Sequence, residues 1–438
     1  MTNSDTELKT IINDLVNRAA SPDIRATDTT FADLTTLRIG GRPAGVIECL
    51  SPEALRWVVS ELDATRASFI VVGGGSNLVV GDGSEISELI VVWATTSDSS
   101  SLDSLVDSGH MSIDQSTGIV RAYAGVEWDQ LVAATVEAGL GGLECLSGIP
   151  GSVGATPVQN VGAYGAEVSQ VLSRVQLYDR EAKTWEWVSP ESLDLAYRYS
   201  NLKFTNRGVV TAVEFQLRTD ALSATLRFGE LARRIGVTAE EVTTAAAAIE
   251  RNEESTAARR PVAEVRHAVL QLRAGKGMVL DPEDHDTWSA GSFFTNPIVA
   301  GEAARDAVIA AVRERCGDEE ADSMPVYSAG QSAVSDSAVS NSGSAEAGRA
   351  TASTSDLPVE RYKFSAAWLI ERAGFSKGWH VDGNEVASLS TKHTLALTNR
   401  GGATSRDIVE LARAVRDGVQ EAFGVTLEPE PIWLGVTI

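Results

Sequence analysis

Cysteine, histidine, positive charge and long apolar runs are all scarce in this chain. Cys49, Cys145 and Cys316 are the three cysteines among 438 residues, odd in number and widely separated. They fit neither a disulfide framework nor a metal motif, and each is expected to be a plain thiol. The five histidines, His110, His267, His285, His380 and His393, show no HExxH or related ligand spacing, so no metal site is expected. Lysine and arginine total 37 against 60 acidic residues, a net charge of −23. That balance disfavours nucleic acid and anionic membrane as partners, and an anionic ligand would have to be held by local groups. No apolar run approaches membrane-spanning length, and MTNSDTELKT has neither the basic start nor the apolar core of a signal peptide. A cytoplasmic protein is expected.

What the chain does have is glycine in a patterned setting. Residues 146–165 read LSGIPGSVGATPVQNVGAYG, with Gly148, Gly151, Gly154, Gly162 and Gly165 set among Ile149, Pro150, Ser152, Gln159, Asn160, Ala163 and Tyr164. The spacing follows neither a helical nor a strand period, so the stretch reads as shaped backbone that a large polar ligand can approach closely. N–H groups and uncharged donors would hold phosphates there. A second polar loop, Gly73, Gly74, Gly75, Ser76 and Asn77, directly follows an apolar strand at residues 69–72. The dinucleotide fingerprint GxGxxG would need glycine at Leu78, so this is a phosphate-cradling loop of another kind.

At this length two or three domains are expected. A short N-terminal helix carries Leu8, Ile11, Ile12 and Leu15 on one face, within an extension covering residues 1–30. Strands are expected near residues 44–50, 69–72, 89–93, 118–125, 174–179 and 209–217. Ser51 and Pro52 open one helix, and Trp128 to Val136 form another that ends at Gly139. Residues 97–116 are rich in Ser and Asp and read as a mobile excursion. The pattern turns helical from residue 238, with a domain boundary expected between 219 and 227. Residues 323–357 are dominated by Ser, Ala and Gly, a composition expected to stay disordered. A last helix starts near Thr404, with Asp407 as in a capping box, and delivers Glu428 and Glu430.

The stretch IPGSVGATPVQNVGAYG resembles the flavin-binding signature of the UDP-N-acetylenolpyruvoylglucosamine reductases, type I, within the vanillyl-alcohol-oxidase-like FAD-binding superfamily. The resemblance extends to LRIGGRPA, VVGGGSNLVV, AYRYSNLKF, AGSFFTNP and LEPEPIWLG, in the family's order. It implies an α+β protein: a two-subdomain FAD-binding domain over residues 31–219, divided near residue 95, and a substrate-binding α+β domain over 220–438 with a βαββ insertion. It also implies non-covalent FAD, NADPH as co-substrate, and reduction of UDP-N-acetylglucosamine enolpyruvate to UDP-N-acetylmuramate for peptidoglycan synthesis. A monomer is expected. An alcohol oxidase of the same fold, needing no NADPH, is the competing enzyme class.

Candidate catalytic residues follow from residue chemistry joined to this resemblance. Arg198, flanked by Tyr197, offers a permanent forked cation suited to a carboxylate or enolate. The resemblance makes it the group that steadies the enolpyruvyl intermediate. It makes Ser292 the proton donor to C2, Asn296 and Tyr197 substrate contacts, and Glu430, rather than Glu428, the acid that orients the reacting groups. Lys276 would grip a nucleotide diphosphate as a point charge. Phe228 stands where relatives carry tyrosine, which removes a hydroxyl from that position.

Overall fold

The computed structural model describes residues 3–96, 101–227, 229–251, 253, 255–332 and 359–438. Phe228 and most of the Ser/Ala-rich stretch, residues 333–357, lie outside them. The chain divides into two compact units, each built from more than one segment. One comprises Met1–Gly291, Thr398–Asp407 and Pro431–Thr437, and the other Ser292–Leu397, Ile408–Glu430 and Ile438.

The first unit contains a four-stranded sheet in the order Ile24–Thr27, Gly45–Cys49, Ile90–Ala94, Phe69–Val72. The first strand runs antiparallel to its neighbour, and the other three are parallel. Val46, Ile47, Val91 and Val92 are all fully buried, as strands covered on both faces require. The helix Pro52–Asp63 starts where Ser51 and Pro52 predict, with the Ser51 hydroxyl accepting from Ala54 N–H. It buries Leu55, Val58, Val59 and Leu62.

A second, antiparallel sheet has five strands, in the order Thr184–Val188, Leu172–Asp179, Gly208–Gln216, Ile119–Tyr123, Met111–Asp114. The two sheets share one apolar core. Tyr123 Oη crosses it to donate to the Cys49 carbonyl at 2.6 Å.

Three expectations change here. The excursion expected at 97–116 is folded over residues 101–116, and residues 97–100 lie outside the described ones. Leu105 is buried by the helix Leu102–Asp107, and the strand Met111–Asp114 pairs with Ile119–Tyr123. Leu105 and Met111 are buried there, with Leu102 and Ile113 packed against the same core. Residues 220–291 cluster with the first unit, so the expected boundary at 219–227 is no break in packing. Glu144, fully buried, accepts from Gly142 N–H and Ala224 N–H at 2.6 Å each, and Arg259 holds Asp220 bidentately at 2.8 and 2.9 Å. These bonds fasten the segment down.

In the second unit the order is strand Ile298–Ala300, helix Glu302–Cys316, strand Val326–Ser332 and strand Val359–Phe364, the three strands forming an antiparallel sheet. This is a βαββ order with a short helix, Asp318–Ser323, added. The strand Val326–Ser332 is the third change, because it falls inside the span expected to be disordered. Pairing with Val359–Phe364 supplies the order its composition does not. Ile408, Leu411, Val415 and Val419 are fully buried along the helix Ser405–Phe423. Among the described residues no helix is long and apolar enough to cross a membrane.

Candidate active site

The strand Phe69–Val72 runs straight into residues 73–77, which lie backbone to backbone against residues 151–152. A Cβ on Gly74 would come within 2.6 Å of Gly151 Cα, one on Gly151 within 2.8 Å of Ser76 Oγ, and one on Gly73 would overlap Ser152 Oγ. Only glycine permits that approach. The Gly151 carbonyl accepts from Trp128 N–H at 3.0 Å, and Gly154 N–H donates to Ala124 O at 2.9 Å. The two expected loops are therefore one structure, fixed to the second sheet.

Gly148 N–H donates to Asp129 Oδ1 at 2.6 Å, and Arg266 binds the same carboxylate bidentately at 2.6 and 2.9 Å. Burial opposes ionisation of Asp129, but those hydrogen bonds prevail and hold its carboxyl below the usual range. Beside Gly148 stands Arg273. Its Nη2 donates to Met278 O at 2.6 Å, while its Nε is shielded from solvent with no hydrogen-bond partner. Burial brings its pKa down to about 10. Asp129, whose charge favours this half-buried cation, is itself committed to Arg266, so Arg273 is short of an anion. FAD carries a pyrophosphate and a pyrimidine edge with hydrogen-bond acceptors, so this donor set and the glycine cradle fit it.

The rest of the glycine stretch is explained otherwise. The short strands Gly162–Ala163 and Ala166–Glu167 pair through a two-residue turn, with Tyr164 and Gly165 at φ 52° and 84°. Both central positions need positive φ, which accounts for Gly165. Asn160, left-handed at φ 44° and 1% exposed, ends the helix Ala155–Gln159. Its Nδ2 donates to Glu167 Oε2 at 3.1 Å and to Ala196 O at 2.9 Å, and its Oδ1 accepts from Ser169 N–H at 3.1 Å. The side chain expected to meet the cofactor has both donors engaged by protein.

Ala196 and Tyr199 bond each other's backbone at 3.0 and 3.1 Å, closing a tight turn that carries Tyr197 and Arg198. Arg198 is held at φ 56°, which costs a non-glycine residue roughly 1–3 kcal/mol. Its Nη2 donates to Gly162 O at 2.6 Å, and its Cζ lies 5.0 Å from the Tyr197 ring centroid.

In the second unit the residues around Ser292 pair with those around Glu430. Phe294 bridges Pro429, Glu430 N–H donates to Phe293 O at 2.9 Å, and Thr295 N–H donates to Glu428 O at 2.9 Å. This register sets Glu430 opposite Phe293, the residue that follows Ser292. Phe293 and Phe294 are buried and meet edge to face at 5.2 Å. Glu428 is exposed, whereas Glu430 and Ser292 are half-buried.

The profile of the UDP-N-acetylenolpyruvoylglucosamine reductase C-terminal domain matches residues 281–434, and that of an FAD binding domain matches residues 43–186. The chain is 67% identical over 423 residues to the UDP-N-acetylenolpyruvoylglucosamine reductase of Corynebacterium jeikeium, covering 95% of this chain and 92% of that one. The chain belongs to the UDP-N-acetylenolpyruvoylglucosamine reductase family. It is also 50% identical to reductase 2 of Corynebacterium glutamicum, over 94% of each chain. The crystal structure of UDP-N-acetylenolpyruvylglucosamine reductase from Thermus caldophilus aligns over 94% of this chain and 99% of its own, with a TM-score of 0.54 at 22% identity, and shares the fold.

Two residues expected to touch substrate in this reductase fold are engaged by protein. Asn296 Oδ1 accepts from Ala366 N–H at 2.9 Å, at the start of the helix Ala366–Arg372. Lys276 Nζ pairs with Glu230 Oε2 at 2.6 Å. Arg273 and Asp129 escaped the sequence reading. Arg273 had a signal, standing three residues before Lys276 in the same block; Asp129 had only its place in a helix first turn. Among the described residues no cluster of His, Cys, Asp or Glu could hold a metal ion.

Proposed function

We propose that Ser292, Glu430 and Arg198 carry the chemistry of an NADPH-dependent, FAD-containing reductase that converts UDP-N-acetylglucosamine enolpyruvate to UDP-N-acetylmuramate in peptidoglycan precursor synthesis. Family membership over 95% of the chain carries the activity. FAD, when bound, transfers hydride between the nicotinamide and the enolpyruvyl carbon. The Gly73–Gly75 and Gly151–Gly154 backbones would hold its phosphates, with Arg273 as the nearby cation.

Ser292 donates the proton to C2 of the substrate. A serine hydroxyl is a weak acid, so it works only if held against a strongly basic carbon. The pairing that sets Glu430 opposite Phe293, one residue along the chain from Ser292, supports a joint role, with the carboxylate orienting the hydroxyl and polarising the alkene. The fixed, forked Arg198 suits the substrate carboxylate as negative charge grows on it. Lys276 would leave Glu230 for the nucleotide diphosphate. The reaction is proposed to be cytoplasmic and run by a monomer.

The test is anaerobic. NADPH should bleach the flavin, and adding the enolpyruvate should restore its absorbance. Ser292→Ala should leave the first step intact and slow the second by roughly 10²- to 10⁴-fold, the usual worth of a general acid. Recovery only on admitting oxygen would mean an oxidase instead.

A further inference from the structure

Arg198 is a long side chain on a short turn whose neighbours Tyr197 and Tyr199 are 40% and 45% exposed. Its own backbone cannot fix its guanidinium. The fixing comes from the glycine stretch. Asn160 Nδ2 donates to Ala196 O at 2.9 Å, Arg198 Nη2 donates to Gly162 O at 2.6 Å, and the fully buried Ser200 donates its hydroxyl to Val158 O at 2.7 Å. A Cβ on Gly162 would come within 2.9 Å of Arg198 Nη1, so the missing side chain is the seat of the guanidinium. Lys203 Nζ closes the turn from the other end, donating to Arg198 O at 3.2 Å.

We infer that Asn160 is a positioning residue for Arg198, and that residues 158–162 form a clasp setting the arginine rather than a part of the cofactor cradle. The inference rests on the role proposed above for Arg198. Asn160 uses both its amide hydrogens on Glu167 and Ala196, which leaves none for a ligand. Its left-handed backbone would suit glycine equally well, but glycine would make none of these ties. The clasp continues directly from the helix Ala155–Gln159 behind the phosphate loop, so loop and arginine share one rigid support.

Asn160→Gly is the clean probe, since it removes the amide without straining the backbone. The variant should keep wild-type FAD affinity, flavin spectrum and NADPH bleaching rate. Reoxidation by the enolpyruvate should slow roughly 10- to 100-fold, the scale of a misplaced reacting group. In an Arg198→Ala background the same substitution should change reoxidation less than about twofold, because coupled residues are not additive. Ser200→Ala, cutting another tie, should give the same pattern and stands in if Asn160→Gly folds poorly. Loss of FAD, or equal slowing with and without Arg198, would overturn the inference by making Asn160 a cofactor or folding residue. Normal reoxidation in Asn160→Gly beside slow reoxidation in Arg198→Ala would overturn it alone. An Arg198→Ala enzyme as fast as wild type would remove the proposed role of Arg198 and the clasp's purpose with it.

Discussion

At the scale of single residues, Arg273 is the position where stability and function pull apart. Its Nε has no hydrogen-bond partner and its charge is opposed by burial, so the fold leaves this cation only partly compensated. Replacing such a cation with a packed apolar side chain is often neutral or stabilising. Arg273→Met should therefore leave the apo-protein at least as thermostable while weakening FAD roughly tenfold or more, with Arg273→Lys in between. Titrating FAD against flavin fluorescence and melting the apo-protein give the two readings; an apo-protein that melts much lower would make Arg273 a structural residue. The sequence made the glycines legible because a Cβ is excluded wherever two backbones meet, as at Gly74 and Gly151. It could not separate glycines that face a loop from one that seats an arginine, as Gly162 does, or one that turns a hairpin, as Gly165 does. All three uses require the same missing atom.

Among elements, those with a local start signal were readable and those ordered by a distant partner were not. Ser51 and Pro52 announce their helix, and Thr404 with Asp407 announces the last one, where Asp407 Oδ2 accepts from Thr404 N–H at 2.8 Å. The strands Met111–Asp114 and Val326–Ser332 have no such signal, and their order comes from pairing with neighbours. The last helix also has an anchor its own sequence does not show: Asp82 Oδ2 accepts from Ser405 N–H and Ser405 Oγ at 2.8 and 2.7 Å. Asp82→Ala should lose about 1 kcal/mol, the worth of a helix-capping bond. Urea unfolding would show this as a lower midpoint with an unchanged slope, and a shift below a few tenths would assign the anchor no weight.

For the whole molecule, acid stability has an identifiable contributor. Glu214 is buried to 6% side-chain exposure among Arg121, Arg174 and Ser173. Burial favours its neutral form, but hydrogen bonds from Arg174, Arg121 and Ser173 prevail and hold its pKa at about 2 against an ordinary 4.5. A carboxyl with a lowered folded pKa stabilises fully above its unfolded value and loses that contribution as pH falls through the folded one. Glu214→Gln should thus cost stability at pH 6, and the gap to wild type should close between about pH 4.5 and 2. A gap that stayed constant in urea midpoints across that range would show that the carboxyl's charge contributes nothing.

The strand Ile432–Leu434 pairs in parallel with Leu78–Val80, and Ile432 N–H donates at 2.9 Å to the carbonyl of Asn77 in the loop proposed to cradle the cofactor. A variant lacking residues 431–438 should bind FAD weakly and melt lower than wild type, as a colourless eluate would report at once. The same pairing governs how the protein is made. A ribosome adds about 5–20 residues per second, so the strand beside the cofactor loop emerges roughly 20–70 seconds before the partner made about 350 residues later. Throughout that interval the nascent chain presents an unpaired strand edge. Closure of this edge is thereby deferred until residues 432–434 have been made.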